Sequence, residues 1–127
     1  MGAPHPLQEA AVTALALPDS YYAHLRESYQ ARRDLLLGKV EEAGFVAFRP
    51  HGAYYILTEA EHFLKRFGCK DDHEFALYLV REVGVATVPG SSFYAHGELG
   101  RTKIRFCFPK TDDMLIEAGR RLQKLAR

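Results

Sequence analysis

The sequence predicts an α+β fold: a small mixed or antiparallel sheet with helices packed on one face, preceded by a long helix of the kind that connects domains. Three observations support this class. Apolar residues recur at steps of three or four in the first third of the chain, as in amphipathic helices. After Gly44 the pattern changes to short aromatic and β-branched runs separated by Pro and Gly. The last segment returns to helical spacing.

The first third of the chain reads as two helices. Pro6 suits the first position of a helix, because a proline there loses no hydrogen bond. The second helix covers 20–43, with Asp19 or Ser20 as its cap and Gly44 as its left-handed stop. Its length of about 36 Å exceeds what a small domain needs. Because its middle is also rich in polar residues, we expect it to run along the surface or to connect to another domain.

The segment 44–127 reads as the core of the domain. The predicted strands are 45–48, 53–57, 85–88 and 102–108, with a tight turn at 49–52. Residues 59–68 read as either a loop or a helix. One predicted helix begins at Asp71 or Asp72 and ends at Gly84. The last helix begins at Thr111 or Asp112 and carries an apolar stripe, formed by Leu115, Ala118, Leu122 and Leu125.

Composition narrows the class of protein further. The chain has 127 residues, a length that predicts one domain. Its 17 Lys and Arg against 16 Asp and Glu give a net charge of +1, which predicts no charge-driven attraction to nucleic acid or to a membrane. No run approaches the ~20 apolar residues of a membrane span, and the N-terminus lacks signal-peptide order. The two cysteines, Cys69 and Cys107, are too few for a disulfide framework, and Cys107 lies in an apolar run typical of a buried thiol. We therefore expect a soluble, cytoplasmic protein.

The chain lacks the common patterns of metal binding and nucleophilic catalysis. Its six histidines show no metal-ligand spacing, which predicts no metal site. No serine lies in a G-x-S-x-G pattern, and nothing marks either cysteine as a nucleophile. We expect no catalytic residue within this chain.

The run 102–108 is the most informative strand. Alternation places Ile104 and Phe106 on one face, toward the helices, and Arg105 on the other face. Arg105 is then either a solvated surface residue or a rigidly mounted guanidinium aimed at a carboxylate or phosphate. Spacing alone favours the solvated residue.

Two weaker patterns have ordinary explanations. The loop 88–93 has small residues whose amides could line a pocket or cradle an anion, although most such stretches are turns. The run 103–108 has some similarity to a strand that stacks RNA bases. Its rings at Phe106 and Phe108 fall on the core side and the expected glycines are missing, so single-stranded RNA binding is disfavoured.

Five collinear motifs carry a more specific signal. They are GAPHPLQEAA at 2–11, RRDLL at 32–36, PHGAYY at 50–55, VATVPGSSF at 85–93 and IRFCF at 104–108. Together they resemble the C-terminal part of a class I/II pyridoxal-phosphate-dependent aminotransferase of fold type I, in the branch that holds aspartate, methionine and kynurenine aminotransferases. The resemblance covers nearly the whole chain, and five motifs in order are far more specific than any one of them.

The resemblance implies roles for two residues. Arg105 matches the arginine that grips the substrate α-carboxylate, and Tyr54 matches an aromatic position that lies toward the substrate cleft. It also implies a small domain made of an N-terminal helical segment (1–19), a helix linking the large and small domains (20–43) and an α+β core (44–127). The parent would be a homodimer that transfers an amino group between an amino acid and a 2-oxo acid.

The resemblance also implies what this chain lacks. The family holds pyridoxal phosphate through a Schiff-base lysine, an aspartate and a phosphate cup on the large domain, upstream of the matched region. None of the six lysines here lies in the family's Ser-Lys context. We therefore expect a fragment that binds no cofactor and is inactive alone. The alternative is a free-standing α+β module that binds anions or a protein partner.

Overall fold

The structure is a computed structural model that describes residues 4–126, so Gly2 and Ala3 of the first motif lie outside the described residues. The helices are α1 (His5–Leu15), α2 (Asp19–Glu42), α3 (Glu61–Phe67), α4 (Asp72–Tyr78) and α5 (Asp112–Leu122). The strands are β1 (Val46–Phe48), β2 (Tyr55–Glu59), β3 (Val88–Pro89) and β4 (Lys103–Cys107). A π-helical turn (Leu79–Val83) extends α4, and short 3-10 turns cover Gly90–Phe93, Gly97–Gly100 and Gln123–Ala126. This arrangement confirms the predicted α+β class.

The four strands form one antiparallel sheet in the order β1-β2-β4-β3. In the central pair, Tyr55 lies opposite Cys107 and Leu57 lies opposite Arg105. β3 is an edge strand, a position in which proline is tolerated because only one side of the strand pairs with the sheet. The sequence predicted either a mixed or an antiparallel sheet, and the structure shows an antiparallel one.

Alternate residues of the central strands turn toward the helices and form the core. Ile56, Ile104 and Phe106 are at most 3% exposed. Thr58 is also buried there, and its hydroxyl donates to the carbonyl of Ile104 at 3.0 Å, which satisfies a polar group that burial would otherwise penalise. Phe45 packs its ring 5.2 Å from that of Phe106. Burial of each of these isoleucine and phenylalanine side chains stabilises the fold by roughly 1.5–3 kcal/mol.

The N-terminal helices are much less buried than the core. α1 has no buried residue, and Leu7, Val12 and Leu15 are 61–81% exposed. In α2, the buried residues are confined to the last two turns, at Leu36, Leu37 and Val40, where the helix packs against α5. The rest of α2 runs along the surface, as its polar middle predicts. It is long but polar, and none of the described helices is apolar enough over sufficient length to cross a membrane.

Two strands differ from the predictions. The chain still turns at Ala53, where φ is +59°, so β2 begins at Tyr55 and residues 49–54 form a longer connection than a tight turn. β3 comprises only Val88–Pro89, so it shares one residue with the predicted 85–88 and includes the proline expected to end it. The N–H of Val85 donates to the carbonyl of Leu79 at 3.0 Å instead of entering the ladder. Residues 59–68, which read as either loop or helix, contain α3.

Two local expectations were wrong. The cap of α2 is Pro18 rather than Asp19 or Ser20, since the helix already includes both of those residues. Cys107 is exposed, not buried, because strand alternation turns it away from Phe106 although its sequence neighbours are apolar. Both cysteines are free thiols, and burial raises the pKa of the half-buried Cys69.

Candidate functional site

The face of the sheet that turns away from the core carries the predicted anion-binding residue. Tyr55, Leu57 and Arg105 are half-buried there and Cys107 is exposed, while their neighbours in sequence on β2 and β4 are buried. We call this surface, defined by these four residues, the open face. Arg105 is thus placed on the side that alternation predicts.

Two aromatic rings enclose the Arg105 side chain. Its guanidinium carbon lies 3.8 Å from the centroid of the Tyr55 ring and 4.0 Å from that of the Phe93 ring. Contacts of this length are cation–π interactions, which stabilise a cation without neutralising it. The Nε atom is buried and has no hydrogen-bond partner among the described residues. The cation–π contacts leave the positive charge of the guanidinium in place, so its terminal N–H groups can still bind an anion.

The other cation on the same strand behaves differently. The Lys103 ammonium lies 3.3 Å from the Glu59 carboxylate and donates to the carbonyl of Leu99 at 2.9 Å. Burial acts to raise the pKa of Glu59, but hydrogen bonds from Thr102 and Ala60 and the Lys103 charge lower it by more. Lys103 is therefore neutralised within the chain, whereas for Arg105 no carboxylate partner lies within ion-pair distance among the described residues.

The second predicted residue, Tyr54, lies next to the Tyr55 ring and extends the row of side chains formed by Tyr55, Arg105 and Phe93. Its ring centroid is 4.3 Å from that of Tyr55, which contacts Arg105 in turn. The pKa of Tyr55 is raised, chiefly by the interaction of its hydroxyl with that of Tyr54, although the Arg105 charge acts in the opposite direction. Tyr54 is 45% exposed. The row therefore runs Tyr54, Tyr55, Arg105, Phe93.

Phe93 reaches this row from the turn Gly90–Phe93, which is closely packed. The N–H of Ser91 donates to the carboxylate of Asp72 at 2.7 Å, and Asp72 is only 1% exposed. A Cβ added at Gly90 would lie 2.7 Å from the carbonyl oxygen of Lys103, and one at Gly100 would lie 2.5 Å from the nitrogen of Ser91. Backbones that approach this closely require glycine. The loop 88–93 was singled out in the sequence, but the roles of Phe93 and Asp72 depend on contacts distant in sequence.

Most lysines of the chain lie beside a carboxylate. A Schiff-base lysine must reach its neutral form, which a nearby carboxylate disfavours. Four of the six lysines lie within 3.3 Å of a carboxylate, namely Lys39 with Glu42, Lys65 with Glu61, Lys70 with Glu74 and Lys103 with Glu59. The hydrogen bond to Glu74 raises the pKa of Lys70. Lys110 and Lys124 are exposed on the surface. Within residues 4–126, no group of three His, Cys, Asp or Glu side chains could hold a metal ion.

Neither of two surface cavities includes Arg105 or Tyr54. One, of about 220 Å³, lies between α2 and the connection after β1, beside Arg33 and His51. The other, of about 560 Å³, lies beside Met114 on α5. Outside these cavities, Tyr54 is exposed and Arg105 is half-buried.

Comparison with known proteins places these features in a family. The model of the family described as aminotransferase class I and II matches residues 1–122. A kynurenine--oxoglutarate transaminase of Dictyostelium discoideum is 36% identical over 98% of this chain and 32% of its own length. A methionine aminotransferase of Escherichia coli is 31% identical over 94% of this chain and 30% of its own length.

Solved structures agree with this assignment. N-succinyldiaminopimelate aminotransferase from Mycobacterium tuberculosis has a TM-score of 0.80 and 38% identity, over 94% of this chain and 30% of that one. An aromatic aminotransferase from Pyrococcus horikoshii has a TM-score of 0.74 and 29% identity, over 93% of this chain and 30% of that one. The chain thus spans about a third of the length of these relatives. It belongs to the class I and II aminotransferase family.

Proposed function

We propose that this chain is the small, substrate-closing domain of a pyridoxal-phosphate-dependent aminotransferase, which transfers an amino group between an amino acid and a 2-oxo acid. Within it, Arg105 binds the α-carboxylate of the substrate. The observation that carries the proposal is the Arg105 guanidinium, which is held between two rings on the open face and has no carboxylate partner among residues 4–126. Membership of the family supplies the reaction class.

Arginine suits this role for a geometric reason. Its planar fork matches the two oxygens of a carboxylate, and paired charge-assisted hydrogen bonds orient the amino acid as well as attract it. Oriented binding places the substrate amine and α-carbon in a fixed position relative to the rest of the enzyme. Arg105 supplies orientation in this proposal and takes no part in proton transfer.

Tyr54 supplies a second contact in this proposal. Its ring is 45% exposed and lies at the other end of the row from Phe93. An amphipathic ring at this position offers an apolar wall to the substrate side chain and a hydroxyl that can donate or accept a hydrogen bond.

Pyridoxal phosphate, when bound to the full-length enzyme, supplies the electron sink for chemistry at the substrate α-carbon. Membership of the family, whose cofactor lysine lies on the large domain, supports a cofactor site outside this chain. The proposal therefore includes a cytoplasmic, homodimeric parent whose large domain holds the cofactor. This chain contributes binding and orientation of the substrate and closure of the cleft.

The chain alone and the complete reading frame should behave differently. We expect the purified chain to form no saturable adduct between pyridoxal phosphate and a single lysine after borohydride reduction, and to catalyse no transamination. The protein made from the complete reading frame should transaminate. Modification of one lysine in this chain at stoichiometric level, with turnover, would contradict the cofactor assignment. Absence of transamination by the complete, cofactor-loaded protein would contradict the reaction class and favour an anion-binding module.

A further inference from the structure

The surroundings of Arg105 point to a positioning residue that the proposed function does not yet include. Resting on the proposed role of Arg105, we propose that Phe93 acts through that side chain. Together with Tyr55, its ring holds the guanidinium plane in a fixed orientation before the carboxylate arrives. Phe93 itself makes no hydrogen bond to the substrate in this proposal, so it is a positioning residue and not a catalytic one.

The geometry of the guanidinium explains why two rings are effective. A guanidinium has two flat faces and carries its N–H donors around the edge. The Tyr55 and Phe93 centroids lie 3.8 and 4.0 Å from the guanidinium carbon of Arg105. Because Nε is buried, the two terminal Nη nitrogens are the donors left for an incoming carboxylate. The rings therefore favour approach of the anion in the guanidinium plane, through both Nη atoms.

The exposure of Phe93 separates this role from ordinary core packing. The ring remains 48% exposed, and its contact with the Arg105 guanidinium lies on the open face, outside the core. The turn that carries it is held by the buried carboxylate of Asp72 through the N–H of Ser91. The turn is thus held by interactions that do not involve the Phe93 ring. The ring is therefore not needed to hold the turn, and it contacts the Arg105 guanidinium.

Preorganisation is the expected benefit. A long arginine side chain loses rotamer freedom when it is fixed, and if the protein fixes it beforehand, that cost does not fall on substrate binding. A cation–π contact corresponds to a change of about 2- to 30-fold in an equilibrium constant. Removing the Phe93 ring should therefore weaken carboxylate recognition by this range.

The test uses the full-length enzyme and two substrates, an amino acid and the matching amine that lacks the carboxylate. In Phe93→Leu, kcat/KM for the amino acid should fall about 2- to 30-fold, mainly through KM, while that for the amine stays unchanged. Phe93→Tyr keeps the ring and should restore the wild-type value. Phe48→Leu is the matched control, because Phe48 is 49% exposed and lies two strands away from Arg105 on β1.

The outcomes separate this inference from the proposed function. If Arg105→Lys lowers kcat/KM for the amino acid selectively but Phe93→Leu behaves like Phe48→Leu, the positioning role is wrong and the proposed function stands. If Arg105→Lys shows no selectivity for the carboxylate, the proposed role of Arg105 fails first. An equal loss for both substrates in Phe93→Leu would make Phe93 a structural residue and overturn the inference.

Discussion

The two faces of the β2–β4 pair use the same strands for different purposes. On one face Ile56, Ile104 and Phe106 are at most 3% exposed and pack against the helices. On the open face Tyr55 and Arg105 are only half-buried. Arg105 lies directly between Ile104 and Phe106 in sequence, so burial of its two neighbours fixes the backbone from which it projects. The comparison indicates that the core face provides rigidity and the open face provides recognition.

The largest expected effect comes from breaking the core face. Phe106→Ala should lower the free energy of unfolding by about 3–5 kcal/mol, because it removes a buried ring and leaves a cavity. Arg105→Ala, one residue away on the open face, should change it far less. Urea unfolding of both variants measures the difference. Similar losses in the two variants would mean that the two faces are not functionally distinct.

A second prediction concerns apolar surface that this chain leaves uncovered. Leu7, Val12 and Leu15 on α1 are 61–81% exposed, and Tyr22 on α2 is 40% exposed. Because exposed apolar patches favour association, we expect the isolated chain to self-associate with rising concentration. Light scattering should detect this, and Leu15→Glu should reduce it. A monomer at high concentration would show that these side chains do not form an effective contact surface.

The smallest expected effect concerns the outer surface of α5, opposite its buried stripe. Hydrogen bonds from Arg120 and Arg121 lower the pKa of Glu117 from 4.5 to about 2. Since the folded pKa is depressed, the stabilisation is present above pH 4.5 and is lost as the pH falls toward 2. The stability difference between the chain and Glu117→Gln should narrow over this interval in unfolding measurements. A difference independent of pH would contradict the assignment.

Alternation in the sequence was sufficient to place Arg105, because a strand has a period of two whatever surrounds it. The same rule would have placed Cys107 correctly, but its apolar neighbours favoured a buried thiol. The contact of Phe93 with Arg105 could not be predicted, since the 3-10 turn Gly97–Gly100 lies between them and no local sequence pattern encodes the contact. Pairing of β3 was overestimated for a different reason: the N–H of Val85 donates to the carbonyl of Leu79, a local hydrogen bond at the end of the preceding helical turn.

The central claim is that the open face recognises a carboxylate through Arg105. Its most direct test is kcat/KM of the full-length enzyme carrying Arg105→Lys, measured with an amino acid and with the matching amine. Lysine keeps the charge but loses the planar fork. We predict a loss of roughly 30- to 5,000-fold for the amino acid, corresponding to about 2–5 kcal/mol, and little change for the amine. An equal loss for both substrates would contradict the claim and make Arg105 a structural residue.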